Sequence, residues 1–99
     1  MLPKFSTYGR YSSANYGAHA LTFWDASGNQ YWFSYKTLVA FETTSGRRVV
    51  LQNYWGPTTG KHLNAIDGGR KSERVTQEAF NNAFLKAFGL EAAKIVSAA

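Results

Sequence analysis

The spacing of apolar and polar positions divides the chain into an unpatterned start, a run of alternating segments, a second unpatterned stretch and a helical finish. Residues 4–17 mix Gly, Ser and Asn with Tyr8, Tyr11 and Tyr16 and keep no period. They read as a looped or extended arm with scope for a short edge strand. From Ala18 the pattern is that of strands. Residues 18–24 lead into the turn formers of residues 25–29, and residues 30–35 (Gln-Tyr-Trp-Phe-Ser-Tyr) suit a pleated surface. Two such runs about a short Gly-containing turn predict a β-hairpin. Alternation puts Tyr31, Phe33 and Tyr35 on one face and Trp32 and Ser34 on the other. Both faces therefore carry rings, so either the sheet is covered on both sides or one aromatic face meets a partner. Residues 38–43 and 48–52, about the turn at residues 44–47, predict a second hairpin.

Residues 53–75 lose the period again. Trp55-Gly56-Pro57 is a break, residues 58–66 suit one or two helical turns, and Asp67-Gly68-Gly69 would stop them. The last helix is better marked. Thr76 is a natural N-cap, Val75 can pack on Phe80, and Phe80, Phe84, Ala87 and Phe88 recur at helical spacing before Gly89 as C-cap, with Leu90 placed for the accompanying contact. The expected fold is α+β: a four-stranded antiparallel β-meander over residues 18–52, packed against one C-terminal amphipathic helix over residues 76–90. A looped arm (1–17), a loop with a short helical turn (53–75) and a tail (91–99) complete a single domain of residues 1–99.

Composition sharpens this picture in two ways. Three Trp, six Tyr and seven Phe make the chain 16% aromatic, more rings than so small a core hides completely. Eleven Lys and Arg against six Asp and Glu leave a net charge of +5, which favours polyanions, although a balance of this size also serves solubility alone. There is no cysteine, so disulfides and thiolate metal sites are excluded. No apolar run resembles a secretory signal or approaches a membrane span, and the expected location is the cytoplasm.

Candidate chemistry is sparse. Residues 56–62 (Gly-Pro-Thr-Thr-Gly-Lys-His) are similar to a phosphate-binding loop, but three residues instead of four separate the glycines. His62 also stands where Ser or Thr would hold magnesium, so nucleotide hydrolysis is rejected and only a simple anion contact is kept. A histidine pair can cleave RNA without metal, which makes His19 and His62 candidates if the fold brings them together. His19, His62, Asp25, Asp67 and Glu42 lack metal-ligand spacing, so neither metal nor cofactor is expected. The excess of positive charge falls in the arm, the second hairpin turn and the middle loop. Arg47, Arg48, Tyr54, Trp55, Lys61, His62, Arg70, Lys71 and Arg74 are accordingly the candidate binding residues. Loops and turns are also simply where solvated Arg and Lys go.

Three segments carry a resemblance: residues 16–19 (Tyr-Gly-Ala-His), residues 33–37 (Phe-Ser-Tyr-Lys-Thr) and residues 55–64 (Trp-Gly-Pro-Thr-Thr-Gly-Lys-His-Leu-Asn). Over roughly residues 8–88 the chain resembles a small uncharacterised family associated with bacteriophages and other mobile elements. That resemblance implies an accessory protein and carries over no catalytic residue. The leading expectation is a non-enzymatic protein that binds nucleic acid. The alternatives are a protein-binding inhibitor of a host defence system, such as an anti-CRISPR, and a metal-independent ribonuclease. A homodimer through an edge strand is a further expectation.

Overall fold

The computed structural model describes residues 2–9 and 19–89. Among these, β1 (Lys4–Thr7), β2 (Ala20–Trp24), β3 (Gln30–Ser34), β4 (Thr37–Glu42) and β5 (Arg48–Val50) form one antiparallel sheet in chain order. Helix α1 (Pro57–Asp67), a 3-10 turn (Lys71–Glu73) and helix α2 (Gln77–Phe88) follow. The α+β class and the antiparallel sheet are as expected, with two corrections. The arm adds a fifth strand, and the middle loop contains a full helix. Residues 10–18 and 90–99, including the Leu90 contact and the tail, lie outside the described residues.

Each face of the sheet is covered by one helix. On one side α2 lays Phe80 and Phe84 against Leu38, Phe41, Val49 and Leu51. Thr76 starts this helix by accepting a hydrogen bond from the Ala79 N–H, and Gly89, at φ +88° and ψ 169°, ends it in a conformation open only to glycine. On the other side α1 packs Leu63 and Ile66 against Trp32, Val39, Ala40 and Val50. Pro57 opens α1 with its φ already helical, and Gly68 closes it in the left-handed region, its N–H bonded to the Asn64 carbonyl. The buried positions of α1 are Thr59, His62, Leu63 and Ile66, the i, i+3, i+4, i+7 set of an amphipathic helix.

The register slips between Trp32 and Phe33, which pair with Ala40 and Leu38 and leave Val39 as an extra residue. Because of this bulge, Val39 and Ala40 both join the α1-side core while Leu38 and Phe41 face α2. The β5 edge is covered by Val75, whose N–H and C=O bond to Val50 and Gln52. No helix among the described residues is long and apolar enough to cross a membrane.

Candidate nucleic-acid interface

The site grows from the tight turn between β3 and β4. Ser34 and Thr37 pair, leaving Tyr35 and Lys36 as a two-residue loop. Tyr35 sits at φ +57°, the only described non-glycine residue with a positive φ. The first position of such a loop ordinarily takes glycine, and a bulky ring there costs on the order of 1–3 kcal/mol. This backbone turn takes Tyr35 off the face it was expected to share with Tyr31 and Phe33 and brings it to the α1 side. Its N–H donates to the His19 carbonyl at 2.8 Å, and its ring stacks on His19 with centroids 4.2 Å apart.

Beneath the turn lies a buried polar cluster. Ser34 Oγ is 2.6 Å from His62 Nδ1 and 2.9 Å from Thr59 Oγ1, tying α1 to the sheet. The Tyr8 ring meets His62 edge-on at 6.0 Å, and its hydroxyl donates to the Phe33 carbonyl. Above the two hydroxyls a pocket of about 170 Å³ opens between half-exposed Tyr35 and Trp55, with Thr37 and Val39 completing its wall.

Around the N-terminal half of α1 a wider cleft of about 450 Å³ is lined by Gln52, Asn53, Lys61, Asn64, Lys71 and Arg74, with Pro57 and Gly60. Its described lining includes three cations, several amides and no carboxylate. Asn53 organises one rim, accepting from the Trp55 N–H and donating to the Gly56 carbonyl. Gly60 permits this approach, since a Cβ there would stand 3.2 Å from the Asn53 amide nitrogen. Tyr54 and Trp55 meet edge-on at the same rim, 53% and 44% exposed.

Residues 5–82 match the family of unknown function DUF8033, well over half of the chain. The chain belongs to the DUF8033 family. No curated protein and no solved structure matches it. The matched span of this DUF8033 chain holds all three segments on which the resemblance rests. Of these, His19, Ser34, Tyr35, Trp55, Thr59 and His62 converge at the pocket and the cluster below it.

The nine candidate binding residues separate into groups. Lys61 and Lys71 are exposed and line the cleft, with Tyr54 and Trp55 on its rim. Arg70 is exposed and lines a neighbouring cleft of about 670 Å³ together with Arg48, Asp67 and Glu73. Arg48 is committed to the fold: it pairs with Glu42 at 3.0 Å, lies 4.6 Å over the Trp32 ring and donates to the Ile66 carbonyl near the end of α1. Arg47 is exposed beside it.

Two of the nine are interior groups. Arg74, its side chain 4% exposed, donates through Nε and Nη2 to Asp67, itself 9% exposed, and also to Asn64. Burial alone would raise the Asp67 carboxyl. Hydrogen bonds from Arg74 and from backbone N–H groups outweigh it and hold the group below its usual range. His62 is fully buried on α1, not in a loop. Both histidines do reach Tyr35, His19 by stacking and His62 with centroids 6.1 Å apart, but only His19 is exposed. Among the described residues no group of three or more His, Cys, Asp or Glu could hold a metal ion. Sequence reasoning missed Ser34, Tyr35 and Asn53, and reached Thr59 and Asn64 only as part of the polar segment 58–64, suited to tying the helix to the sheet or to touching a ligand. The only available signal was that Ser34, Tyr35, Thr59 and Asn64 lie inside the segments that carry the resemblance.

Proposed function

We propose that the chain is a small accessory protein that binds nucleic acid across the α1 face, holding phosphates in the Lys61–Lys71 cleft and bases on the rim aromatics. The observation that carries this reading is a cleft whose described lining has cations and amides but no carboxylate, with exposed Tyr54 and Trp55 following its lining residue Asn53, which holds the Trp55 N–H. Lysine neutralises phosphate and releases counterions, amides bond phosphate and sugar oxygens, and exposed rings offer stacking to any base. Arg70, paired at 3.9 Å with Glu73, lies beyond the cleft, while Arg74 supports it from below through Asp67.

Fluorescence polarisation with labelled single- and double-stranded DNA and RNA tests the reading. For about two neutralised phosphates, one at each cleft lysine, single-strand affinity falls about sevenfold between roughly 50 and 200 mM salt. Lys61→Ala and Lys71→Ala should each weaken binding and flatten that dependence. No binding even at low salt would remove the proposal, and any shortening of the RNA would favour the ribonuclease alternative.

A second reading, a protein partner, draws on the opposite edge of the sheet. Strand β1 leaves Phe5 71% exposed, and Phe5 packs at a tilt against Phe23 with centroids 4.7 Å apart while Leu21 is exposed beside them. The Tyr8 N–H bonds to Ala20, so alternation turns the N–H and C=O of Phe5 and Thr7 away from β2. Such an edge suits strand addition by another protein or a second copy, and binding there would be nearly indifferent to salt.

A further inference from the structure

Resting on the cleft reading, we infer that the pocket between Tyr35 and Trp55 is a base subsite that accepts one unpaired pyrimidine, so that the protein prefers single strands to duplex. Four observations carry this inference. The first is size: a cavity of about 150 Å³ takes a benzene ring, and this pocket of about 170 Å³ admits one six-membered ring but not a stacked pair. The second is its chemistry. Rings stand at its mouth and two hydroxyls, Ser34 and Thr59, line its depth, both buried.

A hydroxyl offers one donor and two acceptor positions. Ser34 uses two of them on His62 and Thr59, and Thr59 uses one on Ser34. One position on Ser34 and two on Thr59 therefore stand beyond this chain of bonds, at least two of them acceptors, suited to the ring N–H of a thymine or uracil edge. An aliphatic side chain would leave them unmet.

The third observation is the backbone. Tyr35 holds a conformation that glycine would adopt without strain, and the fold keeps the ring there by the bond to His19 and the stack on its imidazole. The stack on His19 offsets part of that strain and leaves the ring half-exposed as a wall of the pocket. The fourth is position. Trp55 borders the pocket, and its N–H is held by Asn53 of the lysine cleft, so a strand whose phosphates lie in the cleft can turn a base directly into the pocket. In a duplex that base is paired and stacked, and reaching the pocket would cost its extrusion.

The test compares three strands of about 12 nucleotides at low salt, a length within the usual site sizes for such surfaces: oligothymidylate, oligodeoxyadenylate and a fully abasic strand with the same phosphates. Base stacking contributes about 1–3 kcal/mol, so oligothymidylate should bind at least about fivefold more tightly than the abasic strand, with oligodeoxyadenylate between them. Tyr35→Gly should bring oligothymidylate down to the oligodeoxyadenylate level, because Tyr54 and Trp55 still stack bases, and leave abasic binding unchanged. Ser34→Ala should do the same in part, providing a second variant if one of them folds poorly. Equal, salt-sensitive binding of oligothymidylate and oligodeoxyadenylate would overturn the base subsite and leave the cleft standing. Binding of none of the three would remove both. Displacement by a tyrosine-bearing peptide, without any preference for thymidylate over the abasic strand, would overturn the inference in favour of a protein ligand.

Discussion

On the α2 side of the sheet Phe41 meets Phe80, Phe84 and Phe88 edge-on, with centroids 5.3–5.4 Å apart, and every buried residue of that cluster is apolar. On the α1 side the same sheet buries Thr22, Ser34, Thr59, His62 and Arg74 among its apolar residues. The dry face derives its stability from buried area, which is non-directional, and from edge-to-face ring packing. The polar face must satisfy each donor and acceptor in place, which fixes α1 against the sheet and holds groups at defined positions beneath the surface. The proposed binding chemistry draws on the second kind of face, where the fold holds buried polar atoms in place.

Two truncations break the comparison most strongly. Phe41→Ala should cost about 4 kcal/mol by leaving a cavity among three rings. Arg74→Ala should cost about 3 kcal/mol for a different reason, since it strands the Asp67 carboxylate in the interior. Denaturant melts separate the mechanisms: adding Asp67→Asn to Arg74→Ala should recover much of the loss, whereas no second change opposite Phe41 of similar size does so. If the double variant is no more stable than Arg74→Ala, the buried charge is not the cause.

Ser34→Ala comes next, at about 2 kcal/mol, because it leaves His62 Nδ1 and Thr59 Oγ1 short of a buried partner. A loss below about 0.5 kcal/mol would mean that water replaces the hydroxyl, and that the polar face is less closed than described.

Acid sharpens the contrast without mutation. Asp67 and Asp25 both titrate below their ordinary value in the fold. For Asp25 burial opposes the shift, but hydrogen bonds from Asn29, Tyr31 and the N–H groups of the turn outweigh it. A depressed folded pKa contributes stability above the unfolded value, near 3.8 for each, and loses it as pH falls through the folded one. Thermal melts should therefore be nearly flat from neutral pH to about 5 and fall below about 4. In Arg74→Ala the acid-sensitive part should shrink, and an unchanged acid limb would contradict the assignment to Asp67.

The smallest effect is the most diagnostic. Tyr35→Gly relieves a left-handed tyrosine and loses a half-exposed ring, so its stability should stay within about 1 kcal/mol of the parent, on either side. A loss above about 2 kcal/mol would show that the Tyr35 ring serves the fold.

Much of this division could be read before the structure. Strands β2 to β5 and helix α2 announce themselves, because alternating rings, turn formers, Thr76, Phe80, Phe84 and Gly89 all carry standard signals. Helix α1 does not, since two of its four inward positions are Thr59 and His62 and an apolar count finds no stripe. Strand β1 is hidden for a related reason: all four of its residues are exposed, so there is no buried face to alternate with. Arg74 reads as a surface cation because arginine almost always is one, and only the fold reveals its pairing with Asp67. Tyr35 was placed by strand alternation, which fails at a residue that has already left the strand. In each case the misread residue belongs to a feature that hydrophobic patterning cannot report.

The central claim is that ligand chemistry sits on the α1 face. Backbone amide NMR of the labelled protein, titrated with a single-stranded pyrimidine oligonucleotide at low salt, tests it most directly. The account predicts shifts concentrated at Tyr35, Trp55, Lys61 and Lys71, with Phe80, Phe84 and the Phe5 edge nearly still. Shifts centred on Phe5, Leu21 and Phe23, or none at all, would contradict it.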